Sequence, residues 1–177
     1  MIEAERLFTA RTELADTLAQ DVADELMRVI EAKGKATLAV SGGTTPTLFF
    51  DKLSRTGLPW HRVTVTLVDE RQVPETSDRS NARLVRDHLL KNEAAAATFV
   101  PLYGNDAAAD MAPFDVVILG MGADGHTASF FPGGDTLAEA IDADTSRRII
   151  AITAPGSGEP RLTFTLPAIE QAGRIKL

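Results

Sequence analysis

Residues 36–46 read Ala36-Thr37-Leu38-Ala39-Val40-Ser41-Gly42-Gly43-Thr44-Thr45-Pro46. A short, almost continuous apolar run is the pattern of a strand buried on both faces, as in a parallel sheet. It runs straight into a pair of glycines, and Leu48, Phe49 and Leu53 then recur as one face of a helix. Pro46 suits the first turn of that helix, where a missing N–H costs nothing. The stretch is a strand–loop–helix unit, and both its flanks repeat the theme.

Upstream, Leu14, Leu18, Val22, Leu26, Val29 and Ile30 recur at spacings of three and four. They predict an amphipathic helix over Arg11 to Lys33, closed by Gly34 as a C-cap. Downstream, Val63 to Val68 predicts a strand, Asp69 to Ser80 a polar loop, and Asn81 to Lys91 a helix capped by Asn or Ser. After a short apolar stretch at Thr98 to Leu102, Asp115 to Leu119 is the clearest buried strand. A loop over Gly120 to Gly125, a short helix through Thr127 to Phe131, a strand at Arg148 to Thr153 and a helix over Leu162 to Ala172 with an extended start follow. Strands alternating with helices predict an α/β fold with a mostly parallel sheet. One domain over residues 1–177 is expected. The chain stops at Arg174-Ile175-Lys176-Leu177, where a strand is just beginning, so further C-terminal elements are expected.

Composition limits the chemistry. With 18 Lys plus Arg against 25 Asp plus Glu the formal net charge is −7, and there is no Cys. Disulfides, a thiolate nucleophile and Cys-ligated metals are excluded. An acidic chain is a poor nucleic-acid binder, because phosphate backbones require clustered Lys and Arg. No apolar run approaches the ~20 residues that cross a bilayer, and no signal-peptide pattern opens the chain, so a cytoplasmic address without membrane partners is expected. The three His are widely spaced, which disfavours a metal site.

Ligands of open α/β sheets bind beyond the carboxyl ends of the strands, and three loops leave such ends. The first, Ser41 to Pro46, has Gly42 and Gly43 for close backbone approach and Thr44 and Thr45 as further donors. It fits either a phosphate cradle or a tight turn that needs glycine for steric reasons. It lacks the Gly-Lys-Ser/Thr ending of a P-loop. The second, Asp69-Glu70-Arg71, is either a structural ion pair or an anion site in which Arg71 takes the charge while Asp69 or Glu70 holds hydroxyls or orients a base. The third, Gly120 to Gly133, satisfies G-x-G-x-x-G through Gly120, Gly122 and Gly125. A dinucleotide role is disfavoured, because the loop sits deep in the chain and Asp142 and Asp144 precede the next strand instead of following it. Asp124-Gly125-His126 reads better as acid/base machinery, since a carboxylate fixes the tautomer of a neighbouring imidazole. His61 and His88 read as structural. No G-x-S-x-G elbow is present, so an acyl-enzyme is not expected.

Taken together, Ser41 to Pro46, Asp69 to Arg71, Ser80-Asn81, Gly120 to Gly133 and Arg161-Leu162-Thr163-Phe164-Thr165 resemble the 6-phosphogluconolactonase family, in that family's order. The resemblance implies a Rossmann-like α/β fold, a mostly parallel sheet with helices on both faces, of the kind shared with ribose-5-phosphate isomerase and glucosamine-6-phosphate deaminase. It implies hydrolysis of 6-phospho-D-glucono-1,5-lactone in the oxidative pentose phosphate pathway. The related deaminases carry Asp-Glu-Tyr where this chain has Asp69-Glu70-Arg71, and a different sequence after His126; both differences favour the lactonase. Members usually place a helical segment where only Tyr103 to Phe114 stands here.

The resemblance assigns catalysis to His126 and Asp124, and substrate binding to Gly42, Gly43, Thr44, Asp69, Arg71, Gly122 and Arg161. No metal or other cofactor is expected, and a phosphorylated sugar lactone is the expected partner of a monomer. The alternatives are a deaminase-like aldose–ketose isomerase and a sugar-phosphate-binding module without turnover.

Overall fold

The structure is a computed structural model describing residues 4–111, 113–155 and 157–177. Helix α1 (Arg11–Lys33) ends where Gly34 adopts φ +81° and its N–H reaches the Ile30 carbonyl at 2.8 Å. Its buried stripe is Ala15, Ala19, Val22, Ala23, Leu26 and Ile30, one position round from the expected face, with Leu14 left exposed. The small alanines let α1 lie close against the short helix α2 (Thr47–Leu53), for which Pro46 is the N-cap.

The central sheet has five parallel strands in the order β4-β2-β1-β5-β8. These are β1 (Ala36–Val40), β2 (Val63–Leu67), β4 (Thr98–Phe99), β5 (Val116–Ile118) and β8 (Arg174–Lys176). Apolar residues of β1, β2 and β5 are almost wholly buried, as expected of strands covered on both faces. From β1 the chain builds outward through β2 and β4 on one side, whereas β5 and β8 lie on the other. The crevice between β1 and β5 is therefore the point where strand order reverses, and a ligand crevice of an α/β sheet lies there. Both glycine-rich loops leave from these two strands.

Two segments depart from the sequence reading. Asp69 to Arg71 is not loop but strand β3 (Asp69–Arg71), in a second, antiparallel sheet of order β3-β7-β6 with β7 (Arg161–Phe164) and β6 (Ile149–Ile152). Val68 joins the two sheets: its N–H donates to Val40 of β1, and its carbonyl accepts from Phe164 of β7. A three-residue strand of charged side chains has no apolar signal to announce it.

The expected helix through Thr127 to Phe131 is absent. Ala128 takes φ +50°, outside helical geometry, and the segment closes by turns from Phe130 to Thr127 and from Gly134 to Phe131. Helix α3 (Asn81–His88) is capped by Ser80, whose Oγ accepts from the Arg83 N–H. Helices α4 (Leu137–Ala140) and α5 (Leu166–Glu170) are single turns, and a 3-10 turn over Asp106–Met111 fills the short connection before β5. No helix among the described residues is long and apolar enough to cross a membrane.

Candidate active site

The site assembles from the two glycine loops and one edge of the antiparallel sheet. In the loop after β5, His126 and Asp124 face each other, with Nδ1 to Oδ1 at 2.5 Å. The loop is folded tightly enough to hold that pair. The Gly122 N–H donates to the His126 carbonyl at 2.8 Å, and Gly125, at φ +85°, donates to the Gly122 carbonyl at 2.9 Å. A Cβ on Gly122 would overlap Nδ1 and Cε1 of His126 and stand 2.7 Å from the Asp124 carboxylate. Glycine at 122 is what makes room for the pair. The hydrogen bond from His126 holds the Asp124 carboxyl below the usual carboxylate range. With Nδ1 engaged, Nε2 is the ring nitrogen left for chemistry.

The ring of Phe131 lies against the imidazole, centroids 4.1 Å apart and planes tilted by 36°. The same ring carries the guanidinium of Arg161, 5.2 Å from its centroid. Arg161 is buried; its Nη2 donates to the Ser157 carbonyl at 3.0 Å, and its Nη1 stands 3.8 Å from the Asp69 carboxylate. Burial, and then the charge of Arg71, push the Arg161 guanidinium below its ordinary pKa.

Arg71 and Arg161 are directly opposed across the β3–β7 pair, so their side chains project on one face of the sheet. Like charges so placed repel, and a bound anion would remove that penalty. Nε of each is buried without a hydrogen-bond partner, leaving two donors unspent. Nη1 of Arg71 is anchored on the Arg79 carbonyl at 2.5 Å.

The two carboxylates of the second loop have different tasks. Asp69 is 5% exposed and accepts a 2.6 Å hydrogen bond from Ser129; burial pushes its carboxyl up against the pull of Ser129 and Arg161. It ties the His126 loop to the arginine edge. Glu70 turns inward, accepting from the backbone N–H groups of Arg71, Asn81 and Ala82 and from Ser80 Oγ at 2.7 to 3.1 Å. Burial pushes its carboxyl up as well. Its partners make it the anchor of the α3 N-terminus, at which a carboxylate is favoured.

The first loop reaches this edge through Asn81. A Cβ on Gly42 would overlap the Asn81 amide, whose Nδ2 donates to the Asp69 carbonyl at 2.9 Å. Gly43 takes φ +89°, and Thr44 is exposed. Among the described residues, none of the backbone N–H groups of Gly42, Gly43, Thr44 and Thr45 donates a hydrogen bond. These are free donors for an anion.

Contacts thus run continuously from Gly42 through Asn81, Asp69, Arg161 and Phe131 to His126, Asp124 and Gly122. All three loops picked out in the sequence meet here. His61 and His88 lie elsewhere: His61 in a 3-10 turn, His88 on α3 beside Asp51. Sequence reading gave no role to Phe131 or Ser129 and left Asn81 as a motif residue. Their contacts depend on chain segments far apart in sequence.

The sequence profile of the family described as glucosamine-6-phosphate isomerases/6-phosphogluconolactonase matches residues 9–177. The chain belongs to this family. It is 54% identical to a 6-phosphogluconolactonase of Rhizobium meliloti (strain 1021), over 97% of this chain and 79% of that protein. It is 55% identical to a 6-phosphogluconolactonase of Mesorhizobium japonicum, over 96% of this chain and 77% of that protein. The crystal structure of a 6-phosphogluconolactonase from Shewanella baltica superposes with a TM-score of 0.88 at 40% identity, covering 95% of this chain and 77% of that one. Both the family and the fold expected from the five motifs are those found.

Proposed function

We propose that this chain, working as a single α/β domain and as a monomer on a small phosphorylated lactone, hydrolyses 6-phospho-D-glucono-1,5-lactone to 6-phosphogluconate. No nucleic-acid or membrane partner enters this reading. The observation that carries it is a carboxylate-oriented imidazole sharing one phenyl ring, Phe131, with Arg161, which itself stands opposite Arg71 across the β3–β7 pair. Names borne by relatives at 54% and 55% identity support the same reaction.

The phosphate sits between Arg71, Arg161 and the free N–H groups of Gly42, Gly43 and Thr44. Arginine suits it, since the guanidinium fork gives paired, charge-assisted hydrogen bonds. At the other end of the substrate, Nε2 of His126 removes a proton from water as its oxygen attacks the lactone carbonyl. The imidazolium formed is stabilised by Asp124. As the tetrahedral intermediate collapses, the proton passes to the ring oxygen, and the ester C–O bond breaks. A positioned base contributes ~10²–10⁴-fold.

Asp69 holds Ser129 and Arg161 in place. Gly122 spends its N–H on the His126 carbonyl, so its part is to shape the loop beside the substrate.

The test is consumption of freshly generated 6-phosphogluconolactone, coupled to 6-phosphogluconate dehydrogenase and corrected for spontaneous hydrolysis. His126→Ala is expected to lower kcat by ~10²–10⁴-fold with little change in KM. An unchanged kcat in that variant would refute the role of His126. A wild-type rate equal to background would refute the lactonase reading.

A further inference from the structure

Phe131 occupies a place that a merely structural residue would not. Both it and its neighbour Phe130 are half-buried, but Phe130 packs against the hydrophobic core whereas Phe131 meets polar side chains. There its ring meets the His126 imidazole at 4.1 Å and the Arg161 guanidinium at 5.2 Å. The segment bearing it is pinned on both sides. Ser129, two residues before, donates to buried Asp69 at 2.6 Å. Gly134, three residues after, sits so close to Ile152 of β6 that a Cβ would come within 2.6 Å of its side chain. The Phe131 backbone is closed between these points by its N–H to the Ser129 carbonyl and by its own carbonyl from the Gly134 N–H.

We propose that Phe131 is a positioning residue whose ring sets the plane of the His126 imidazole and the place of the Arg161 guanidinium together, fixing the distance between the base and the anion-binding end of the site. The inference rests on the lactonase reading for its kinetic consequence, though not for its geometry. The His126 ring has one hydrogen bond, through Nδ1, which leaves it free to rotate about that contact; the phenyl face removes this freedom. Arg161 has its Nη2 bond, and the ring face supports the guanidinium as a cation over a π surface. A phenyl ring has no proton to give and no hydrogen bond to make here, so its effect is purely one of placement. Misplacing a reacting group by about 1 Å costs up to ~10²-fold.

Phe131→Leu keeps an apolar side chain but removes the flat face. It is expected to lower kcat by ~10–100-fold and to raise KM several-fold, while Phe131→Tyr, which keeps the ring, retains most of the wild-type rate. The second measurement needs no turnover. Ring-current shielding by Phe131 should displace the His126 Hδ2 and Hε1 resonances upfield in the NMR spectrum, and Phe131→Leu should abolish that displacement while Phe131→Tyr keeps it. If wild type is inactive on the lactone, the function fails and the NMR comparison still decides the inference. If wild type is active and Phe131→Leu matches it in kcat and KM, or the His126 resonances do not move between variants, the positioning role is refuted.

Discussion

Gly122→Ala is the sharpest test of how the His126 loop is built. The added Cβ would overlap the near edge of the imidazole and lie 2.7 Å from Asp124 Oδ1. Gly122 has no positive-φ requirement, so alanine is refused here by space and not by backbone strain. The peptide cannot retreat easily, because the Gly122 N–H is held by the His126 carbonyl and its own carbonyl by the Gly125 N–H. The imidazole must therefore withdraw by about 1 Å, breaking its 2.5 Å contact with Asp124; a displacement of that size costs ~10²-fold. The loop is largely exposed, so the stability cost stays near the ~0.5 kcal/mol usual away from the core. The assay is kcat for lactone hydrolysis alongside the thermal midpoint. A fall of ~30–100-fold in kcat with a midpoint within a few degrees of wild type is expected. A kcat within twofold of wild type would show that the His126–Asp124 contact is not what the loop is shaped to hold.

Two further outcomes follow from the arginine edge. Arg71→Met removes one member of the opposed pair and the anchor on the Arg79 carbonyl; loss of a charge-assisted bond to phosphate, ~1.5–3 kcal/mol, should raise KM by ~10–100-fold with a smaller change in kcat. Relief of repulsion across the strand pair should offset the lost anchor, so equilibrium unfolding in urea is expected to stay close to wild type; an unchanged KM would dispose of Arg71 as a ligand. For Asp69 the pH dependence has a defined sign. Its folded-state pKa is raised by burial above the ordinary 3.8, so above 3.8 the native state binds more protons than the unfolded state. Its contribution to stability therefore declines as pH rises from 3.8 through the raised value. Asp69→Asn lacks that decline: urea unfolding should show the variant gaining on wild type between pH 4 and 7, and a stability difference independent of pH would refute the assignment.

Much of this arrangement was legible because each local signal agreed with its surroundings. Val22, Leu26 and Ile30 mark the buried side of α1, and the run over 36–40 cannot be satisfied except by burial on both faces. The glycines after β1 and β5 mark the crevice in the sequence as places of close backbone approach, and the folded chain adds the reason for glycine at 42 and 122: side chains there would collide with Asn81 and with His126. What escaped is what only the folded chain creates. Strand β3 carries Asp69, Glu70 and Arg71, and nothing in three charged residues announces pairing with residues 161–163. The helix expected over Thr127 to Phe131 does not form, and two adjacent phenylalanines here face in different directions, one to the core and one to the site. Ala128 at φ +50° is what breaks the helical path ahead of them. A single non-glycine residue in that conformation is uncommon, and it has no sequence signature.

That divergence bears on where rigidity is needed in the site. The anion-binding end rests on strands: Arg71 and Arg161 are fixed by ladder hydrogen bonds, and Asp69 is buried beside them. The acid/base end rests on a loop, which a sheet alone cannot hold to the tolerance proton transfer requires. Three contacts transfer the sheet's rigidity to that loop: Ser129 to Asp69, Gly134 against Ile152, and the Phe131 ring shared with Arg161. Each originates within residues 129–134, and each ends on the antiparallel sheet. The second sheet is thus more than an appendage to the parallel one. It carries the arginines and supplies the surface on which the histidine loop is fixed. A substitution that loosens β3 from β7 should therefore damage binding and turnover together, whereas one confined to residues 122–126 should damage turnover alone.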